Sequence, residues 1–162
     1  MGKKTFAALS AFILVVAMMA APFAEATTEE RQAYKDAVEP ICKTNVQANE
    51  RILKGVKAKV KAGKLKPAAT QFTKAANSTR TALGKLKAVP KPPEDKAKLT
   101  KWLKYIQEEE GYFRKIAQKL NAGDKNGATA MQIRLQHTAT QANNTVLAFE
   151  FKYCRVEPSK FS

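Results

Sequence analysis

The sequence predicts an all-α, up-down-up-down four-helix bundle with its first and last helices joined by a disulfide. Three observations predict it. Four stripes of apolar and small residues recur at helical spacing, three short separators carry Gly or Pro, and the two cysteines, Cys42 and Cys154, frame the pattern. Stripes that alternate intervals of three and four give each helix one face for a shared core. Short loops between long helices make consecutive helices antiparallel, so the first and fourth meet at one end.

The chain opens on a candidate leader. Lys3 and Lys4 precede the apolar run from Phe6 to Ala21, and small residues Ala24 and Ala26 follow Pro22. That is the layout of a secretory signal peptide. The run is shorter than the roughly 20 residues that a membrane-spanning helix needs, so cleavage after Ala26 is expected, with an uncleaved anchor as the alternative. No cysteine follows the run where a lipoprotein is lipidated, and no twin-arginine pair precedes it. General export of a soluble product is therefore expected, with no transmembrane segment in the mature chain. Residues 1–26 are the leader and residues 27–162 one helical domain, 136 residues long and able to enclose a single core.

Within that domain the first stripe runs Val38, Cys42, Asn45, Asn49, Ile52, Val56, Val60, and the second runs Ala69, Phe72, Ala76, Thr79, Leu83, Leu86. The third is Leu99, Trp102, Ile106, Glu109, Phe113, Ile116, Leu120, and the fourth Ala130, Ile133, His137, Thr140, Asn144, Leu147, Phe151, Cys154. "AGKLKP", "VPKPP" and "NAGDKNG" separate them, with the residues that stop helices and restart them. Pro93 followed by Glu94 and Asp95 suits a first helical turn, with acids at the positive end of the dipole. Pro40 leaves two options: it begins the first long helix after a separate leading turn or helix, or it kinks one helix that starts near Glu29. Asn45, Asn49 and Asn144 on the seams suit buried amides that set register, and a small polar ligand between helices is the alternative.

Outside the cytosol thiols oxidise, and Cys42 and Cys154 show neither CxxC nor Cys/His metal spacing. A disulfide follows, with two buried thiols as the alternative. In the expected topology both cysteines lie near one end, within reach of the roughly 5–6 Å Cα separation that a disulfide requires.

The order of Cys42 followed by "ANERI", then Pro92-Pro93, Trp102-Leu103, "AGD" ending at Asp124, and a closing Cys154 resembles a loose group of secreted, actinobacterial-type helical proteins with a terminal cysteine pair. The resemblance spans most of the mature chain. It implies the helical fold and brings no activity with it. One position departs from the group: Glu150 stands where the group carries glycine.

Charge is the second informative feature. The chain carries a formal net charge of +15, and +14 remains once residues 1–26 are removed. From Arg51 to Pro93 there are 12 basic residues and no acid. Such a field attracts polyanions. Lys54, Lys57, Lys61, Lys64, Lys66, Lys85, Lys87 and Lys91 are the candidate contacts to an anionic envelope polymer or to lipid headgroups. A solvated face that only keeps the protein soluble is the competing reading. Lysine outnumbers arginine, and aromatics are not interleaved with the basic run, where Phe72 stands alone, which argues against sequence-specific nucleic-acid recognition and leaves point-charge attraction. "ILKGVKAKVKAGKLK" also has the composition of a membrane-surface helix, although in a bundle Ile52, Val56 and Val60 become core.

No catalytic constellation stands out, and no enzyme activity, cofactor or metal is expected. His137 is the only histidine. It and Glu109 lie at equal distances from Gly123, so they are expected to meet as a buried polar pair of structural character. The sequence therefore reads as an exported basic bundle that binds an anionic envelope component through residues 51–93. The alternatives are a small-ligand or metal site near Glu109 and His137, and a scaffold for a protein partner.

Overall fold

The computed structural model describes residues 27–156, and the expected leader lies outside the described residues. The architecture is the expected one, all-helical with four long helices and a disulfide linking the first and last parts of the fold. Helix α1 spans Thr28–Leu53, α2 Val56–Lys61, α3 Leu65–Ala88, α4 Lys96–Asn121 and α5 Lys125–Thr145. The short α2 is an addition to the expected set.

Each boundary has a chemical cause. At the start of α1 the Thr27 hydroxyl accepts the Glu30 N–H at 3.1 Å, and the Thr27 N–H donates to the Glu30 carboxylate at 3.0 Å. This reciprocal cap satisfies donors that the first turn leaves free. Pro40 sits inside α1, which settles its two options in favour of one continuous helix. The first stripe does not continue unbroken to Val60. Gly55 takes a left-handed conformation, with φ of 73°, and ends the helix there. The Gln71 amide donates to the carbonyls of Ile52 and Lys54, groups that the end of α1 leaves without helical partners. Before α5, the Asp124 carboxylate accepts the Gly127 N–H at 2.7 Å. That bond and the Lys119 ammonium hold the Asp124 carboxyl below its ordinary range.

The stripes on α3 and α4 are buried as expected, at every position from Ala69 to Leu86 and from Leu99 to Leu120. The stripe on α5 is corrected. Ala130, Ile133, His137, Thr140, Asn144 and Leu147 are all exposed, and Ala128, Leu135, Thr138, Ala139 and Ala142 face the core instead. The fourth stripe carries one helical count from Ala130 through to Cys154, but the helix ends at Thr145. Leu147–Phe149 then form a single 3-10 turn, and Glu150 reverses the chain. Phase cannot be carried across a reversal. Asn144 is thus no register residue, whereas Asn49 is buried and Asn45 half-buried.

The core divides into two apolar clusters. One joins Tyr34, Val38, Cys42, Leu86, Leu99, Trp102, Val146, Phe149, Phe151 and Cys154, and the other joins Leu53, Val56, Phe72, Phe113, Ile116, Leu120 and Leu135. Between them lie the buried polar residues Asn49, Thr79, Glu109 and Thr138. Packing is extensive between α3 and α4 and between α4 and α5, and substantial between α1 and α3. No comparable packing joins α1 to α5. A C-terminal strap spans that gap at one end only.

The strap, residues 146–156, is held by several independent ties. Cys154 is bonded to Cys42, with Cα atoms 5.0 Å apart, as the topology predicts. The Glu39 carboxylate accepts the backbone N–H groups of Lys152 and Tyr153. Asn143 exchanges two hydrogen bonds with the backbone of Val156, at 2.7 and 3.0 Å. At the same end Arg31 donates to Asp95 at 2.7 and 3.2 Å, tying α1 to the turn before α4. Burial alone would raise the Asp95 carboxyl, but Arg31 and Lys98 outweigh it and hold the group below its ordinary range.

Glu150 is the only non-glycine described residue at positive φ, at 49°, and it occupies the position where the resemblance expects glycine. A left-handed residue with a Cβ costs roughly 1–2 kcal/mol, and glycine returns about half of that as extra unfolded-state freedom. Glu150→Gly should therefore stabilise the oxidised protein by roughly 0.5–1 kcal/mol in urea unfolding, and Glu150→Val should destabilise it. A glycine variant less stable than the parent would show that the Glu150 side chain holds the strap in place.

Candidate functional site

Two features at different heights of the bundle carry the chemistry, a small cavity of mixed lining beside the buried polar layer at mid-height and a basic groove at the end remote from the disulfide. The cavity lies between α1, α3, α4 and α5, lined by Asn45, Asn49, Thr79, Glu109, Gln136 and Leu135 among others, and encloses about 30 Å³. That is room for roughly one or two waters. The Asn49 amide donates to the Thr79 hydroxyl at 3.1 Å, and the Ser78 hydroxyl donates to Asn45 Oδ1 at 3.0 Å. Asn49 Oδ1 and Glu109 Oε1 are buried with no hydrogen-bond partner among the described residues. Removed from water and without a cation, the Glu109 carboxyl is pushed up to about 8 by burial.

His137 does not share this site. It lies on the exposed face of α5, so the expected buried pair with Glu109 does not form. The reason is the corrected phase of α5, which turns Leu135, Thr138 and Ala139 inward and His137 outward. Among the described residues no cluster of three or more His, Cys, Asp or Glu side chains has the arrangement to hold a metal ion.

The basic groove runs between α2 and α5. Val56 and Val60 from α2, Phe72 from α3, Ile116 and Leu120 from α4 and Ala128 from α5 form its apolar floor, with a volume of about 350 Å³. Lys57 and Lys61 stand on one side and Lys125 on the other. The pattern on α2 explains the arrangement. Val56 and Val60 are four residues apart and turn toward the core, while Lys57 and Lys61, one position on, share the neighbouring face. Lys57, Lys61 and Lys125 are exposed, and none makes an ion pair among the described residues. Gln132 borders both groove and cavity, so the two are neighbours along α5.

The eight candidate lysines do not form one patch. Lys54, Lys57, Lys61, Lys64 and Lys66 are exposed around α2 and the start of α3, whereas Lys85, Lys87 and Lys91 lie at or beyond the far end of α3. Lys66 and Lys85 are about 28 Å apart along the helix axis. That exceeds the screening length of roughly 10 Å at 0.1 M salt, so the two groups act separately. Lys87 also donates to Gln107 at 2.9 Å, and Arg80 is engaged by Glu110 at 3.2 Å. Lys125 was outside the expected set. Its signal was the helix start at Asp124, which places it at the same end as α2.

No protein-family model, curated protein or solved structure matches this chain. Among the described residues no helix is long and apolar enough to cross a membrane. That observation and the disulfide are compatible with an extracytoplasmic location.

Glu109 generates a signed pH dependence. Below about pH 4.5 the carboxyl is neutral in folded and unfolded chains alike, and it costs nothing. As pH rises toward about 8 the unfolded chain ionises while the folded one stays neutral, so this group progressively destabilises the fold. Glu109→Gln, uncharged at every pH, should match the parent near pH 4.5 and exceed it increasingly up to pH 8.5, by on the order of 5 kcal/mol at the limit. Urea unfolding of both proteins across that range checks the sign. A gap independent of pH would mean that Glu109 is ionised in the fold.

Proposed function

We propose that this protein is exported and acts by attaching to an anionic component of the cell envelope through the lysines at its α2 end. The observation that carries the reading is that Lys57 and Lys61 from α2 and Lys125 from α5 border one groove from its two sides, exposed and without ion pairs among the described residues. Solvated lysines scattered over a surface need no such arrangement. Unpaired ammonium groups are strongly hydrated point charges that attract phosphate or carboxylate without a fixed geometry, which suits a repetitive polymer or a headgroup layer. The leader sequence, the disulfide and the net charge agree with that setting. This reading assigns no catalytic residue. Glu109, Asn45 and Asn49 serve as a buried polar layer in it, and the cavity between them as a water site.

Binding of soluble polyphosphate to the oxidised protein beginning at Thr27 tests the proposal across a salt series. Affinity should fall steeply as salt rises, because counterions released from the polymer drive the association. Replacing Lys57, Lys61 and Lys125 together by Gln should weaken binding on the order of tenfold at about 0.1 M salt and flatten the salt slope. The same change at Lys85, Lys87 and Lys91, which removes equal charge from the other end, should do much less. Equal losses from both triplets would reduce the effect to total charge, and no binding by the parent protein would leave the lysines as a solubilising face.

A further inference from the structure

The rim is only half of the groove. Its floor is apolar, with Phe72, Ile116, Leu120 and Ala128 buried and Val60 half-buried. A polyanion that touched the lysines alone would leave that floor wet. Apolar surface flanked by cations that make no ion pair among the described residues complements one chemical type, a molecule with a hydrocarbon portion and an anionic head. At about 350 Å³ the groove lies at the low end of ligand-site volumes. That size suits one chain better than two.

The wall on the α2 side is a single short helix. Gly55 and Gly63 both lie at φ of 73° with open space around them, and they bracket the six-residue α2. A helix that short does not hold itself together in water and depends on its packing. The long helix against which α2 chiefly packs is α3.

We infer that the groove between α2 and α5 binds a single-chain anionic amphiphile, a long-chain carboxylate, with its chain on the floor and its head at Lys57, Lys61 and Lys125. This rests on the reading that the α2 end binds anions, and it narrows the ligand from any polyanion to a fatty-acid type.

Calorimetric titration of the oxidised 27–162 protein with octanoate, decanoate and dodecanoate, each below its micelle concentration, tests the inference. Each methylene placed on the floor should raise affinity about fourfold, so each step of two carbons should give about 16-fold until the groove is full. Dodecanol, which has no charge, should bind much more weakly than dodecanoate. Thr129 is exposed on the groove wall, so Thr129→Phe should fill the site and abolish the chain-length ladder while polyphosphate binding persists. Val60→Gln is the second variant, expected to lower the increments should Thr129→Phe disturb the fold. Gln at Lys57, Lys61 and Lys125 should weaken every chain length by the same factor and leave the increments unchanged.

Equal affinity for octanoate and dodecanoate, or a ladder untouched by both wall variants, would overturn the inference. Polyphosphate binding without dodecanoate binding would overturn it and leave the broader reading standing, whereas loss of both ligands would overturn both. A dimer that dodecanoate fails to disperse would assign the groove to a second copy of the chain and refute the amphiphile.

Discussion

The cross-link between Cys42 and Cys154 is the constraint on which the rest of the bundle depends. Helices α3, α4 and α5 pack in series and α1 rests on α3, but α1 and α5 do not close the ring by their own contact. Closure comes instead from the strap, through the disulfide and the hydrogen bonds of Glu39 and Asn143. With a sequence separation of 112, the bond removes on the order of 4–5 kcal/mol of unfolded-chain entropy in the loop-closure account. It does so at one end. The aromatic cluster of Trp102, Phe149 and Phe151 fills the space beneath it, with ring centroids 5.5 and 5.2 Å apart.

The opposite end is consequently the open one. There α1 stops at Gly55, α2 is a single short helix between two left-handed glycines, and a lysine-rimmed groove reaches the second apolar cluster. The buried layer of Asn49, Thr79 and Glu109 separates the two regimes. These groups are costly to bury, so they favour a helix register in which Asn49 meets Thr79 and the Asn49 and Glu109 side chains border a small cavity. We therefore view the bundle as having a clamped structural end and, in the proposed function, a looser end that meets an anionic ligand.

Much of this was legible in the residues. The faces of α3 and α4 are marked by large apolar side chains at regular intervals, and every expected position is buried. Glu109 was legible as a buried carboxyl because it interrupts such a stripe. The α5 face was not, because it is built largely from Ala128, Thr138, Ala139 and Ala142, while the larger Ile133 and Leu147 point outward at 61% and 53% exposure. Small residues give a helix little contrast, and the closing cysteine lay beyond a chain reversal. His137 was assigned to the core through that one error. The groove was only partly legible: the helix start at Asp124 places Lys125 at the α2 end, but its position across the groove from α2 comes from tertiary packing, which local pattern does not show.

Hydrogen exchange of the oxidised protein, with and without a saturating anionic ligand, tests the division between the two ends most directly. Without ligand, amides of α2 and the first turns of α3 and α5 should exchange fastest among the helices, and those of α1 and α4 around Cys42 and Trp102 slowest. With ligand, protection should rise in α2 and in the first turns of α3 and α5, leaving the strap and the Lys85–Lys91 end unchanged. Protection that rises instead around the strap or at Lys85–Lys91, or evenly over all helices, would contradict the account.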